Sequence, residues 1–213
     1  MARKKPSSRV GVQLGEPVVR GMVMMAGARV FARDGYRAAS VEDLLAAANI
    51  SRRTFYKAFS SKDDVGLALY TFGTDTLLDA CRRALSDDAD LLTKVTRCVD
   101  LHLNNAATVG RMVYVLGGEA SHQDSPLFTA RMKVHDRLVE MLLAAGGIRV
   151  DPLFIRTLIL ALEAIVRNVL VMSDEGRSVI QENIARARRV ILRIVAAAIS
   201  GEGPLVPELP LWP

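Results

Sequence analysis

Two short segments with helical apolar spacing, separated by three residues, restrict this chain more than any other feature. They lie in SVEDLLAAANISRRTFYKAFSSKDDV, residues 40–65. Ser40 stands before Glu42 and Asp43, the pattern of a helix N-cap with an acidic first turn. Asn49 tolerates the left-handed backbone that ends a helix. Ser51 supplies a hydroxyl cap for the next one. A corner of three residues joins two helices that cross steeply, as in a helix-turn-helix.

The second helix, Arg52 to Phe59, carries opposed faces. At about 100° per residue, Phe55 and Phe59 share one side and close a small core with Val41, Leu44 and Ile50. Arg53 and Lys57 point the other way, flanked by Thr54 and Tyr56. Arg reads guanine edges bidentately, and Thr touches a thymine methyl or bonds a base. Tyr hydroxyls, Lys and helix N-terminal amides suit phosphates. The arrangement suits a groove of DNA.

Charge supports that reading. Residues 1–62 hold twelve Lys/Arg and four Asp/Glu, a net of +8, whereas the rest hold sixteen and nineteen, a net of −3. A basic N-terminal third on a mildly acidic remainder describes a polyanion-binding head on a body with another task. Half of the chain is apolar, so a packed core is expected. No secretory leader and no membrane-spanning run is visible. Cys81 and Cys98 make no disulfide framework. The expected setting is the reduced cytoplasm.

Helical signals continue on both sides of the motif. Val19, Met22, Val23, Ala26, Val30 and Phe31 recur at helical spacing from Pro17 to Arg33, and Gly35 ends that helix in a left-handed cap. A long helix starts after Ser61 and extends toward Ser86. Further helices are predicted at Ala89–Asn104 and Thr108–Ser121. Another starts at Ser125-Pro126 and ends at Gly146-Gly147. One runs from Asp151-Pro152 to near Gly176. The last starts at a Ser178/Gln181 capping box and ends at Gly201. With no credible strand pair, the fold class is all-α: a three-helix head, a linking long helix and a helical-bundle body.

Ser40-Val41-Glu42-Asp43-Leu44, Ala48-Asn49-Ile50-Ser51, Thr54-Phe55-Tyr56, Phe59 and Ser61-Lys62-Asp63, preceded by Phe31-Ala32-Arg33-Asp34-Gly35-Tyr36, resemble the DNA-binding head of TetR-family transcriptional regulators. The resemblance covers about residues 18–66. It departs from the family pattern at Asn49, where Gly is usual, and at Leu45 and Arg53, where small residues are common. The resemblance implies that Ser40, Tyr56 and Lys62 hold phosphates, while Arg52, Arg53, Thr54 and Lys57 face bases or nearby phosphates. It also implies a homodimer through the last two long helices, a pseudo-palindromic double-stranded operator, and a small-molecule effector that alters the separation of the heads. No cofactor, membrane or catalytic role is implied.

The body sequence allows these expectations. The Leu153–Met172 helix is apolar nearly all round, and the last helix has more apolar surface than one core face needs. His102 centres an apolar face with Leu91, Val95, Cys98 and Val99. Phe128, Met132, His135, Val139 and Leu142 form another stripe. His102, Phe128, Met132 and His135 are therefore candidate contacts for a mostly apolar effector, although core histidines bonded to a carbonyl have the same pattern. Arg111, Tyr114 and His122 are further candidates. Cys98 and His102 have the spacing of two metal ligands, but no third is identifiable.

The expected domains are a basic arm (1–16) that includes Arg3, Lys4, Lys5 and Arg9, a DNA-binding domain (17–62), a ligand-binding and dimerisation domain (63–201), and a Pro-rich tail (202–213). The tail carries Pro204, Pro207, Pro210 and Pro213 at the polyproline period. The function expected is a repressor released from DNA by a small molecule. The alternative is a DNA-binding regulator or architectural protein without an effector. An enzyme on a helical bundle is a third class, and no nucleophile–base set or phosphate loop supports it.

Overall fold

A computed structural model of the chain describes residues 15–145, 151–171 and 177–200. Nine helices and no strand occur among them: α1 Glu16–Asp34, α2 Val41–Ala48, α3 Arg52–Ala58, α4 Lys62–Ala84, α5 Leu91–Val109, α6 Arg111–Glu119, α7 Phe128–Ala144, α8 Pro152–Val171 and α9 Arg177–Ser200. No described helix is long and apolar enough to cross a membrane. The expected arm contacts, the Gly146-Gly147 stop, the stop near Gly176 and the Pro-rich tail lie outside the described residues.

The head forms because α1 lies across α2, α3 and α4 and closes a small aromatic core. Val23, Val30, Phe31, Leu44, Phe55 and Val65 are essentially inaccessible there. Asn49 adopts φ 51°, ψ 49°, the expected left-handed turn. Leu45 packs against the same core. Gly35 has φ 88° and ψ 161°, a positive-φ extended conformation rather than the expected left-handed cap, and equally one that favours glycine.

Two α1 arginines complete the head. Arg20 Nη1 donates to the Ala58 carbonyl at 2.9 Å, and its guanidinium lies 4.2 Å above the Phe59 ring. Arg29 donates to the Ala47 carbonyl at 3.2 Å. These bonds satisfy carbonyls that α3 and α2 leave unpaired at their C-terminal ends.

Leu116, Ala120 and Leu127 belong to the same apolar cluster as the head. The head core therefore continues across α4 into α6 and the turn after it. A second cluster joins α5, α8 and α9 through Val99, Leu103, Ala106, Val166, Ile191 and Val195.

Several predicted boundaries move. α5 runs on to Val109 and stops at Gly110, whose φ of 55° breaks the helix. Ser125 does not cap α7. Its hydroxyl accepts from Leu127 N at 3.1 Å in a turn ahead of the helix, and Leu127 is wholly buried. Burying Leu127 in the head-side core sets where α7 begins. Ser178 lies inside α9, not at its cap.

Candidate nucleic-acid interface and body cavity

α3 is held by Ser51, whose hydroxyl accepts from Thr54 N at 3.1 Å. Phe55, Ala58 and Phe59 face the core, while Arg52, Arg53, Tyr56 and Lys57 are exposed. Tyr56 projects with half its surface accessible, its ring set edge-on against Phe55. Arg53 and Lys57, four residues apart, lie on one side of the helix, and neither has a hydrogen-bond or ion-pair partner among the described residues. These three side chains form an exposed cationic and phenolic face.

The other expected contact residues carry structural duties. Arg52 pairs with Glu42 of α2, which pins the two helices of the corner together. The Thr54 and Ser51 hydroxyls share a hydrogen bond of 2.8 Å. Ser40 makes a full capping box: its hydroxyl accepts from Asp43 N at 3.2 Å, its backbone N donates to Asp43 Oδ2 at 2.9 Å, and its hydroxyl also donates to that oxygen at 2.6 Å. The Ser40 hydrogen bonds hold the Asp43 carboxyl below its ordinary pKa. Lys62 Nζ donates to the carbonyls of Tyr36 and Arg37 at 3.0 and 3.3 Å and lies 5.0 Å from the Tyr36 ring centroid. Lys62 thus anchors the loop that enters α2.

The body encloses a cavity of about 530 Å³ between α4, α5, α6, α7, α8 and α9. Its walls are almost wholly apolar, with Leu69, Val95, Met112, Leu138, Leu158 and Val195 among them. His102, Asn105, Glu163 and Arg167 supply the main polar groups. Of the four expected effector contacts, His102 lines the cavity, whereas Phe128, Met132 and His135 are not among the lining residues. Arg111, Tyr114 and His122 are not among them either. Burial lowers the His102 pKa, while the negative charge of Glu163 pulls it upward.

His135 is engaged elsewhere. Its Nε2 lies 2.9 Å from Glu163 Oε1, and Arg131 donates to Glu163 Oε2 at 2.6 and 3.1 Å. Burial pushes the Glu163 carboxyl up, but the bonds from His135 and Arg131 outweigh it and hold the group at about 2. An ionised acceptor places the proton of this contact on Nε2. The cluster ties α7 to α8, with Glu163 itself on the cavity wall and Arg131 and His135 behind it. In the sequence Glu163 only interrupts a nearly apolar helix; its inward turn depends on the opposing α7 face, which carries Arg131 and His135.

The outer face of α8 and α9 is apolar in patches. Leu153 and Leu160, seven residues apart, and Val190 and Ile194, four apart, are each about half exposed or more.

Residues 23–69 match the N-terminal model of bacterial regulatory proteins of the tetR family. The HTH-type transcriptional activator FasR of Mycolicibacterium smegmatis is 30% identical over 99 residues, which are 46% of this chain and 45% of that protein. The match thus spans less than half of that relative. A putative TetR-family transcriptional regulator from Syntrophomonas wolfei superposes with a TM-score of 0.73 at 15% identity, covering 91% of this chain and 100% of the other. The transcriptional regulator FadR from Bacillus subtilis, solved in complex with stearoyl-CoA, gives 0.69 at 15% identity, covering 85% and 98%.

Proposed function

We propose that this chain, a TetR-family transcriptional regulator, is a cytoplasmic repressor that binds a pseudo-palindromic operator as a homodimer and leaves it when a small apolar effector enters the body. The observation that carries the reading is the position of α4 and α6. Both line the cavity, and both pack into the core of the head, so a change in the cavity walls has a direct route to α3.

Arg53 and Lys57 are the base-side residues in this reading, and Tyr56 holds phosphate. Ser40, Arg52, Thr54 and Lys62 position the corner, with whatever donor capacity they retain directed at phosphates. The apolar patches on α8 and α9 form the dimer face, which sets two α3 helices about one DNA turn apart, roughly 34–36 Å. The effector is a long-chain acyl group, in keeping with the nearly unbroken apolar walls and with the stearoyl-CoA named for the FadR relative. His102 contacts its polar end.

Activation is the second reading, favoured by the activator FasR among the relatives. Fluorescence anisotropy on DNA from immediately upstream of the gene, against a shuffled control at two salt concentrations, tests the DNA half of the proposal. Preference for the natural sequence with affinity falling steeply with salt supports it. Equal binding to both sequences favours the architectural alternative.

A further inference from the structure

Two thiols from adjacent helices lie on one wall of the cavity. Cys81 of α4 and Cys98 of α5 are both free, and both line the cavity. Cys98 Sγ lies 4.0 Å from the Cys81 carbonyl oxygen. The neighbouring Cys98 side chain lowers the Cys81 pKa against the effect of burial, while Cys81 and burial together raise that of Cys98. A single buried cysteine is ordinarily an inert small apolar residue. This pair differs in two respects: a second thiol lines the same wall, and that wall belongs to a cavity whose lining includes the exposed residues Phe72, Gly73 and Thr76.

We propose that Cys81 and Cys98 are an oxidisable dithiol that reduces an apolar organic hydroperoxide entering the cavity and closes a disulfide between α4 and α5. The Cys81 thiolate attacks the terminal peroxide oxygen. The O–O bond breaks, the alkoxide takes the proton released by Cys81 and leaves as an alcohol, and Cys81 becomes a sulfenic acid. The Cys98 sulfur then attacks the Cys81 sulfur. The S–S bond forms, and the departing hydroxide takes the Cys98 proton and leaves as water. The two sulfurs together lose two electrons, and the peroxide gains them. The apolar wall selects the peroxide: an organic hydroperoxide partitions into it, whereas hydrogen peroxide remains in water.

The inference uses the cavity of the regulator reading but neither its effector nor DNA binding, so a thiol readout separates the two. Reduced full-length protein is treated with equal concentrations of cumene hydroperoxide or hydrogen peroxide, then analysed by intact mass and by free-thiol titration after denaturation. The expected result with cumene hydroperoxide is loss of both thiols and of two hydrogens per chain, reversed by dithiothreitol. Hydrogen peroxide at the same concentration leaves most thiols intact. Cys98→Ser and Cys98→Ala, checked for folding by circular dichroism, gain one oxygen that dimedone traps. Persistence of both thiols in cumene hydroperoxide, disulfides found only between chains, or equal reaction with the two peroxides would overturn the proposal.

Discussion

Arg37 Nε donates to Glu119 Oε2 at 3.0 Å and so joins the loop that enters α2 to the last residue of α6. Glu119 is nearly buried, whereas Arg37 is largely exposed and also reaches Asp124 at 3.3 Å. One turn earlier on α6, Leu116 lines the cavity and packs in the head-side core. A shift of α6 caused by an occupant of the cavity therefore reaches the backbone that Lys62 also holds.

Glu119→Gln is expected to uncouple the two ends. DNA affinity without effector should stay within about threefold, while the ratio of affinities with and without effector shrinks. Anisotropy titrations of the variant with and without stearoyl-CoA give that ratio. An unchanged ratio would remove Glu119 from the coupling route.

The free face of α3 predicts two distinct DNA phenotypes. Tyr56→Ala is expected to weaken binding to operator and shuffled DNA alike, because a phosphate contact positions without reading. Arg53→Ala is expected to cost about tenfold on the operator and less on shuffled DNA, because a bidentate base contact discriminates. Competition titrations on both DNAs separate the two. Matching losses for Arg53→Ala would count against base reading.

Glu163 gives the body an acid-labile link. Its folded pKa of about 2 lies below the ordinary value of 4.5, so the unfolded chain binds the proton more tightly. The stabilisation, on the order of 3 kcal/mol, is fully present above about pH 4.5 and is lost as pH falls through about 2. Glu163→Gln leaves Arg131 and His135 without their anion and should destabilise by about 3 kcal/mol at pH 7. Urea melts from pH 7 to pH 2 should show the wild-type advantage over Glu163→Gln fading at the acid end. A constant difference would place the stabilisation elsewhere.

Tyr36 occupies the space that Gly66 leaves open. A Cβ at residue 66 would lie 2.4 Å from the Tyr36 ring, and the Tyr36 hydroxyl is fixed by a 2.7 Å bond to Asp63. Gly66→Ala should therefore cost about 1–3 kcal/mol through overpacking, read as a lower denaturation midpoint. Loss of DNA binding should accompany it, because Tyr36 and Lys62 together set the loop before α2. A midpoint equal to wild type would show that the ring moves aside freely.

The head was legible in the sequence because its signals are local. Ser40, Asn49, Ser51 and the Phe55/Phe59 spacing each constrain a few neighbouring residues, and each appears in the structure as expected. The functions of Arg20, Arg29 and Arg37 were not legible, because their partners Ala58, Ala47 and Glu119 are 38, 18 and 82 residues away. The body shows the same division. His102 and His135 occupy equivalent apolar stripes, and only the packing of α8 against α7 gives His135 to Glu163 while leaving His102 on the cavity wall. The start of α7 was misplaced for a related reason: Ser125-Pro126 has the local form of a cap, but the burial of Leu127 against the head-side core decides where the helix begins.

The most direct test of the account is to titrate stearoyl-CoA, and separately a short-chain acyl-CoA, into the complex of the protein with operator DNA while following anisotropy. The account predicts that the long chain releases the DNA at stoichiometric concentrations and that the short chain does not, and that a bulky substitution on the cavity wall such as Val99→Trp abolishes release while DNA binding persists. Retention of the DNA by the wild-type protein at saturating stearoyl-CoA, with binding of the ligand confirmed by calorimetry, would contradict it.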